Sequence, residues 1–508
     1  MTFGGIDLGN SRLKLAAFDP QGNPTMLPND QGELWTPSVV FFDGDREVVG
    51  AEAVHAGLLD SERCVSNWKR HMGTDTVLCT KPDGTECTAA DIARILLEYA
   101  ANQFQHRTGD VLSKVAVSVP ANYTDAQKRA TLDAAVAAGI DVVVTPHEPT
   151  AAGFGNSVQK RGDGLVVLFD LGGGTFDVSV VKVTGNTVEV IATNGEPALG
   201  GQDFNAVIQD IVLDRFEAEH GSRPTQDAHP LVFQELHNRV EQAKITLTAR
   251  ESAQIMLSID GTVFTTNVSR DEFRTATADL VTKAMDCAER TLKEADVCPS
   301  DVRELIPVGG ASQKPCFLEA IEKRFGRKPT QHAEPNFAVA LGTLVVGRIT
   351  EEREGNSVSV GGRKLPPLEY RVRDVTAHAV GVCTVTEARD LVNTVILAKG
   401  KPIPSDHVAP FALAEPGQTG ALIELLQGVD GTSRDQCKVL GHFELKGLKP
   451  IHDRPHPIDI RISIDKNGVL TSEAYDAISE KREEMVLDGK VPIRSRDSLP
   501  ETPCRTGG

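Results

Sequence analysis

The chain has 508 residues, more than one hydrophobic core can organise, so about two to four domains are expected. Its 40% hydrophobic and 24% charged content excludes an extended disordered protein. A net charge of −18 excludes a nucleic-acid partner, because phosphate binding needs a concentrated positive field.

The nine cysteines are scattered, and none has C-x-x-C spacing. That pattern indicates a reducing compartment, with neither a zinc cluster nor a disulfide framework. The chain begins with an apolar strand at Gly4–Leu8 rather than a basic-then-apolar leader. Its longest clean apolar run, Phe337–Gly347, is short of the roughly 20 residues a membrane helix needs. The expectation is a cytoplasmic protein with no membrane contact.

In chain order, the first element is a hairpin: Gly4–Leu8, a turn through Gly9, and a second strand Leu13–Phe18. A strand at Val115–Val119 follows, then a helix opened by the Thr124–Gln127 capping box and stopped by Gly139. Glu148-Pro149-Thr150-Ala151-Ala152 closes this half. A second hairpin then begins: Leu168–Leu171, the turn Gly172-Gly173-Gly174, and a strand Phe176–Val181. Around 236–248, Leu236, Val240, Ala243 and Leu247 form one helical stripe. Glu241, Lys244 and Thr248 share the opposite face. A strand at Glu304–Val308, a helix from Pro315 to Phe325 with Gly326 behind it, and Glu334-Pro335-Asn336-Phe337-Ala338 complete the second half.

The landmarks of the two halves match in order, which reads as a duplicated α/β unit. Two such hairpins facing one cleft offer glycine amides to a polyphosphate. An aspartate at each mouth, Asp7 and Asp170, suits Mg²⁺, which keeps most of its waters and takes one or two carboxylates. Neither G-x-x-x-x-G-K-[ST] nor a strand-to-helix G-x-G-x-x-G occurs. The plainer reading of the glycine triplet is a tight turn.

Phe169–Val178, Val119-Pro120-Ala121, Leu199–Phe204 and Pro307–Ser312 together resemble the phosphate and adenosine signatures of the DnaK-type heat-shock chaperone family. Trp68–Gly73 and Val339–Thr343 are most similar to its HscC-like bacterial branch. The resemblance implies an actin-like, duplicated ribonuclease-H-like two-lobed ATPase domain over residues 1–350, a linker at 351–374, a peptide-binding β-sandwich at 375–488 and a disordered tail at 489–508, without the family's helical lid. It implies slow Mg²⁺-ATP hydrolysis, with ATP and ADP as ligands. Asp7 and Asp170 would hold the Mg²⁺ waters. Lys69 would contact the γ-phosphate, while Glu148, Asp177 and Thr175 position the attacking water. Gly9, Asn10, Ser11, Gly172, Gly173, Gly174, Gly200 and Gly201 would line the phosphates and ribose. Glu241, Lys244, Thr248, Gly309, Gly310, Ser312 and Asn336 would line the adenosine. The plainer readings are a solvated lysine at Lys69 and a surface ion pair at Glu241 and Lys244. Asn10 and Ser11 replace two threonines, Ile245 and Gln313 replace two adenine-side arginines, and Asn336 replaces an aspartate, which implies looser nucleotide binding.

Beyond the Gly, Ser and Pro-rich stretch Glu351–Pro367, helical periodicity gives way to short strands: Val380-Gly381-Val382, Val392–Leu397, Ala421–Leu426, Ile458–Ile464 and Val469–Ala474. A turn at Asp465-Lys466-Asn467-Gly468 joins the last two. This is a β-sandwich pattern. By the resemblance, Val380, Val382, Phe411, Ala421 and Ile423 line an apolar peptide groove; equally, they are sandwich core. The run Leu368–Asp374 alternates apolar and charged side chains, as an edge strand with one solvated face does. The implied partners are unfolded or extended polypeptides, a J-domain co-chaperone and a nucleotide exchange factor. A nucleotide-binding scaffold and a small-molecule kinase on the same clamp are the competing functions.

Overall fold

The computed structural model describes residues 3–259, 261–330, 335–486 and 504–506. It divides into two compact units, Met1–Asn122 with Thr131–Val372, and Tyr123–Ala130 with Arg373–Gly508.

In the first unit one sheet is built from β1 (Phe3–Leu8), β2 (Arg12–Phe18), β3 (Pro24–Met26), β4 (Lys114–Ser118) and β5 (Asp141–Val144). Helix α1 (Ala89–Thr108) precedes β4, and α2 (Asp125–Ala137), which the division assigns to the second unit up to Ala130 and to the first from Thr131, precedes β5. The strand order is β5-β4-β1-β2-β3. Here β1 runs antiparallel to β2 and parallel to β4. After α3 (Glu148–Gly155) come β6 (Gly164–Leu171), β7 (Phe176–Thr184), β8 (Thr187–Glu196), α4 (Gly201–His220), α5 (Pro230–Ala249), β9 (Val302–Val308), α6 (Pro315–Phe325) and α7 (Ala338–Arg353). The second sheet has the order β9-β6-β7-β8, again with an antiparallel hairpin flanked by a parallel strand. The two sheets thus share strand order and sense from β4 to β3 and from β9 to β8.

The apolar runs explain the burial. Every side chain of β1 is buried, as is the run Val166–Leu171 of β6, because helices cover both sheet faces. The capping box forms as expected: Thr124 N donates to Gln127 Oε1 at 2.9 Å and Gln127 N to Thr124 Oγ1 at 3.4 Å. Gly139 and Gly326 adopt positive φ (74° and 67°) just past their helices, where a side chain would be strained.

Helices α3 and α7 cross at glycines. A Cβ on Gly155 would lie 1.8 Å from the carbonyl oxygen of Ala338, and one on Gly342 would lie 1.6 Å from that of Ala151. These helices begin at or just after the two Glu-Pro segments matched in the sequence. Glu334 itself lies outside the described residues. Helix α7 continues to Arg353, so Glu351–Arg353 are helical rather than linker.

The rest of the linker follows the first unit. Glu352 accepts from Leu368 N at 2.7 Å, and Arg371 N donates to Asn186 O at 2.8 Å. Tyr370 stacks edge-on to Phe154 at 6.2 Å. Leu368, Tyr370 and Val372 are half-buried, while Glu369, Arg371 and Arg373 are exposed, which is the alternation read from the sequence.

The second unit contains β10 (Arg371–Val375, which begins in the first unit), β11 (Val380–Val385), β12 (Leu391–Leu397), β13 (Ser405–Leu413), β14 (Gly420–Gln427), β15 (Lys438–Lys446), β16 (Pro457–Ile464), β17 (Leu470–Asp476), β18 (Lys481–Val486) and β19 (Cys504–Thr506). Strands β15, β14, β11 and β12 form one set, and β13, β16, β17 and β18 form another. Val382, Ile423 and Leu425 from the first set and Phe411, Ile460 and Ile462 from the second share one apolar core, which makes the unit a sandwich. The Asp465–Gly468 turn closes with Gly468 N donating to Asp465 O at 2.9 Å. Within the stretch read as a tail, Cys504–Thr506 pair as a strand.

Candidate nucleotide site

The site is built from two hairpin mouths. In the first, Asp7 lies directly across from Lys14, and its Oδ2 accepts from Lys14 Nζ at 2.7 Å. In the second, Asp170 lies directly across from Asp177. Period-2 alternation puts both carboxylates on one face of that hairpin, and both are buried. Glu148 opens α3 nearby, and its Oε1 accepts from Lys69 Nζ at 2.9 Å. Lys69 is only 9% exposed, so the solvated-lysine reading fails.

Four carboxylates (Asp7, Glu148, Asp170, Asp177) therefore gather against two ammonium groups (Lys14, Lys69). Burial, then Glu148 and Asp7, push the Asp170 carboxyl up to about 8. Burial, Glu148 and Asp170 likewise hold Asp177 well above the usual carboxylate range. Both Asp177 oxygens are buried without a hydrogen-bond partner, as is Asn10 Nδ2. Buried polar atoms left without partners mark a place that a polar ligand or water completes.

The two mouths face each other closely. A Cβ on Gly173 would lie 2.2 Å from Ser11 Oγ, and one on Gly174 would lie 3.2 Å from Asn10 Nδ2. The Gly9 carbonyl is fixed by Ser38 Oγ at 2.7 Å, and Asn10 Oδ1 accepts from Lys69 N at 3.0 Å. Gly172 N closes its own turn onto Thr175 O at 3.0 Å. The first amides of α4 hold this turn, with Gly201 N donating to Gly172 O at 2.8 Å and Gln202 N to Gly173 O at 2.9 Å. Gly200 has no room for a side chain against the Gly173–Gly174 backbone. Arg70 also clamps the turn, reaching Gly174 O from Nε at 3.0 Å while pairing with Asp203 at 2.7 Å.

On the far side, Lys244 pairs with Glu241 and donates to Gly201 O at 3.0 Å, while Asn205 Nδ2 donates to Glu241 Oε2 at 2.8 Å. Lys244 is 6% exposed, so this is not a surface ion pair. Although burial alone would raise it, Lys244, Asn205 and Arg12 hold the Glu241 carboxyl below its ordinary value. Thr248 stays exposed one turn further on. Gly309, at φ 83°, lies against Leu171 O and the Asp170 carboxylate, a position no side chain tolerates. Ser312 Oγ donates to Gly309 O at 2.8 Å, and a Cβ on Gly310 would lie 3.1 Å from Asn336 Oδ1. Ile245 is exposed and Gln313 is tied to Ser312 at 2.9 Å, so neither supplies a cation to this wall.

The sequence reading missed Lys14, Arg70, Asp203, Asn205 and Lys314. Lys14 had a signal: hairpin register puts it opposite Asp7. Arg70 and Lys314 act across long loops, which no local periodicity records. Lys314 lines a cavity of about 370 Å³ together with Lys244, Thr248, Arg270, Arg274 and Glu319.

Val380, Val382, Phe411, Ala421 and Ile423 are all buried in the sandwich core. Among the described residues no three His, Cys, Asp or Glu side chains converge tightly enough to ligate a metal directly. The buried carboxylates, their excess over cations and the unpartnered Asp177 oxygens nevertheless fit a hydrated divalent ion. No helix among the described residues is long and apolar enough to cross a membrane.

The chain is a mixed α/β protein of two units, with two facing Asp-Leu-Gly hairpins in the first and a sandwich in the second. The chain belongs to the Hsp70 family: the model of the Hsp70 protein family matches residues 3–81 and 74–498. It is 31% identical over 501 residues to the chaperone protein DnaK of Thermosipho melanesiensis, covering 97% of this chain and 81% of that one. It is 32% identical over 504 residues to the chaperone protein DnaK of Thermotoga petrophila and to that of Thermotoga maritima, with the same coverages.

Proposed function

We propose that this chain is an ATP-hydrolysing chaperone of the cytoplasm, in which a duplicated actin-like clamp binds Mg²⁺-nucleotide and the sandwich holds extended apolar polypeptide. The observation that carries the reading is the convergence of Lys69, Glu148, Asp170 and Asp177 between two facing glycine turns in a chain of this family. Mg²⁺ bound at Asp7 and Asp170 through its waters would neutralise charge on the phosphates.

The protein's own groups do the rest. The Lys69 ammonium, held in place by Glu148, supplies a fixed positive charge where charge builds on the departing phosphoryl group. Asp177, with both oxygens unpartnered, accepts from an attacking water that Glu148 and Thr175 orient. The glycine turns bring backbone close to the phosphates, while Glu241 and Lys244 bind the ribose side. Val380, Val382, Phe411, Ala421 and Ile423 shape the apolar floor beneath a bound peptide. A J-domain protein and an exchange factor are the proposed partners.

A nucleotide-binding scaffold is the second reading, favoured by the exposed Ile245 and the tied Gln313. Single-turnover ATP hydrolysis with and without an apolar peptide decides between them. Turnover that rises with peptide supports the chaperone; no turnover at all supports the scaffold.

A further inference from the structure

Strand β2 opens on Arg12, the residue directly after the Gly9-Asn10-Ser11 turn. Side chains alternate along a strand, so Arg12 leaves the sheet on the same face as Lys14, whose ammonium reaches Asp7 at 2.7 Å. Arg12 therefore emerges on the face that carries the site. Its guanidinium lies 4.2 Å from the centre of the Trp35 ring. That ring belongs to a segment tied to the first hairpin. Arg12 pairs with Pro37, Ser38 N donates to Ser11 O at 3.0 Å, and the buried Asn29 donates to Trp35 O at 3.0 Å. Arg12 is half-buried, yet among the described residues its guanidinium makes neither a hydrogen bond nor an ion pair.

We propose that Arg12 is a nucleotide-binding residue that grips the phosphate next to the ribose, with Trp35 as the residue that positions it. The proposal rests on the nucleotide reading above and adds one contact to it.

Three observations support it. First, the donors are free. Stacking uses the flat face of a guanidinium and leaves the five N–H groups at its edge. Donors kept partly from water and given no acceptor are costly, and a phosphate supplies two oxygens in the geometry the fork matches. Second, the place is right. Arg12 adjoins Ser11, which packs on Gly173, and its charge also acts on Glu241 and Lys244. Burial lowers the Arg12 pKa, and Glu241 is the group that opposes it. A nucleotide with its ribose at Glu241 and its outer phosphates at the glycine turns has its first phosphate between the two. Third, the neighbouring cations are committed. Lys14, Lys69, Arg70 and Lys244 each pair with a carboxylate already, whereas Arg12 does not. Because the ring fixes its orientation beforehand, Arg12 loses little freedom when a phosphate arrives.

The test measures affinity for adenosine, AMP and ADP, with Mg²⁺ present, by competition against a fluorescent ADP analogue. It uses the full chain and its Arg12→Ala, Arg12→Lys and Trp35→Leu variants, each checked by a thermal melt without nucleotide. Arg12→Ala should weaken AMP and ADP alike, by about tenfold, and adenosine by less than about twofold. Arg12→Lys keeps the charge but loses the fork, so it should weaken both phosphorylated ligands by only about threefold. Trp35→Leu should do the same, and should add nothing in the Arg12→Ala background, since the ring acts through the guanidinium.

Equal loss for adenosine and ADP overturns the proposal, because Arg12 then serves the ribose wall or the fold rather than a phosphate. Loss for ADP without loss for AMP also overturns it, because the contact is then to an outer phosphate. Unchanged ADP and AMP affinities in all three variants remove Arg12 from the site and leave the nucleotide reading intact. If the parent itself binds neither ADP nor AMP, the nucleotide reading fails and Arg12 fails with it.

Discussion

Lys314 is 3% exposed, donates to Ala311 O at 3.1 Å and sits 5.2 Å above the Phe204 ring. Burial, and next Lys244, lower its amine from 10.5 to about 7. Below that value the ammonium is charged in folded and unfolded chains alike, and the cost of burial is borne in full. Between about 7 and 10.5 the folded chain holds it neutral while the unfolded chain still binds a proton, so stability rises with pH across that window. Lys314→Met should therefore stabilise the protein by roughly 1–4 kcal/mol at pH 6 and distinctly less at pH 9. Urea melts at the two pH values check this, and an equal gain at both would refute it. Lys69→Ala removes the cation that Glu148 holds at 2.9 Å. Single-turnover hydrolysis should fall at least about 100-fold, with ADP affinity changed by less than about threefold. Hydrolysis at the parental rate would remove Lys69 from the mechanism. Ile245 is 44% exposed, one residue from Lys244 on the wall proposed here to hold adenosine, so an arginine there has room to lie over a base. Ile245→Arg should tighten ADP binding several-fold by calorimetry, since stacked arginine–ring contacts are worth about 0.5–2 kcal/mol.

At the scale of elements, the two hairpins were legible because each pairs an apolar run with a glycine turn. Both strands of each lie where the alternation and the turn put them. Strand β13 was not legible: Ser405–Leu413 mixes polar residues with Pro410, and β-pairing on either side, not local pattern, makes it a strand. The short 3₁₀ turn Trp68–His71 likewise gives no periodic signal, yet it places both Lys69 and Arg70. The docked linker was legible from its alternation. Tyr370 is its one aromatic anchor, edge-on to Phe154. Tyr370→Ala should loosen the segment, and amide exchange at Arg371, whose N–H is paired with Asn186, reports it directly. Exchange as slow as in the parent would show that the ring is not what holds the strand down.

For the whole molecule, an alternating linker keeps only half its side chains against the first unit. Nucleotide and peptide should then be linked by on the order of 1 kcal/mol, the low end for coupled sites. Peptide affinity measured without nucleotide and with a non-hydrolysable ATP analogue should differ about fivefold, and the analogue's affinity should shift by the same factor when peptide is added. Identical peptide affinities would describe two independent modules, and would favour the scaffold.

The crossing of α3 and α7 at Gly155 and Gly342 has a consequence for how sequences of this kind can drift. At most helix crossings a larger side chain on one helix is accommodated by a smaller one on the other, and the two positions change together. Here each glycine abuts a carbonyl oxygen, Ala338 or Ala151, and no substitution moves a carbonyl out of the way. One of the tightest contacts in the first unit therefore admits no compensating pair. Statistical covariation among relatives, which detects contacts through correlated change, would be silent at this crossing.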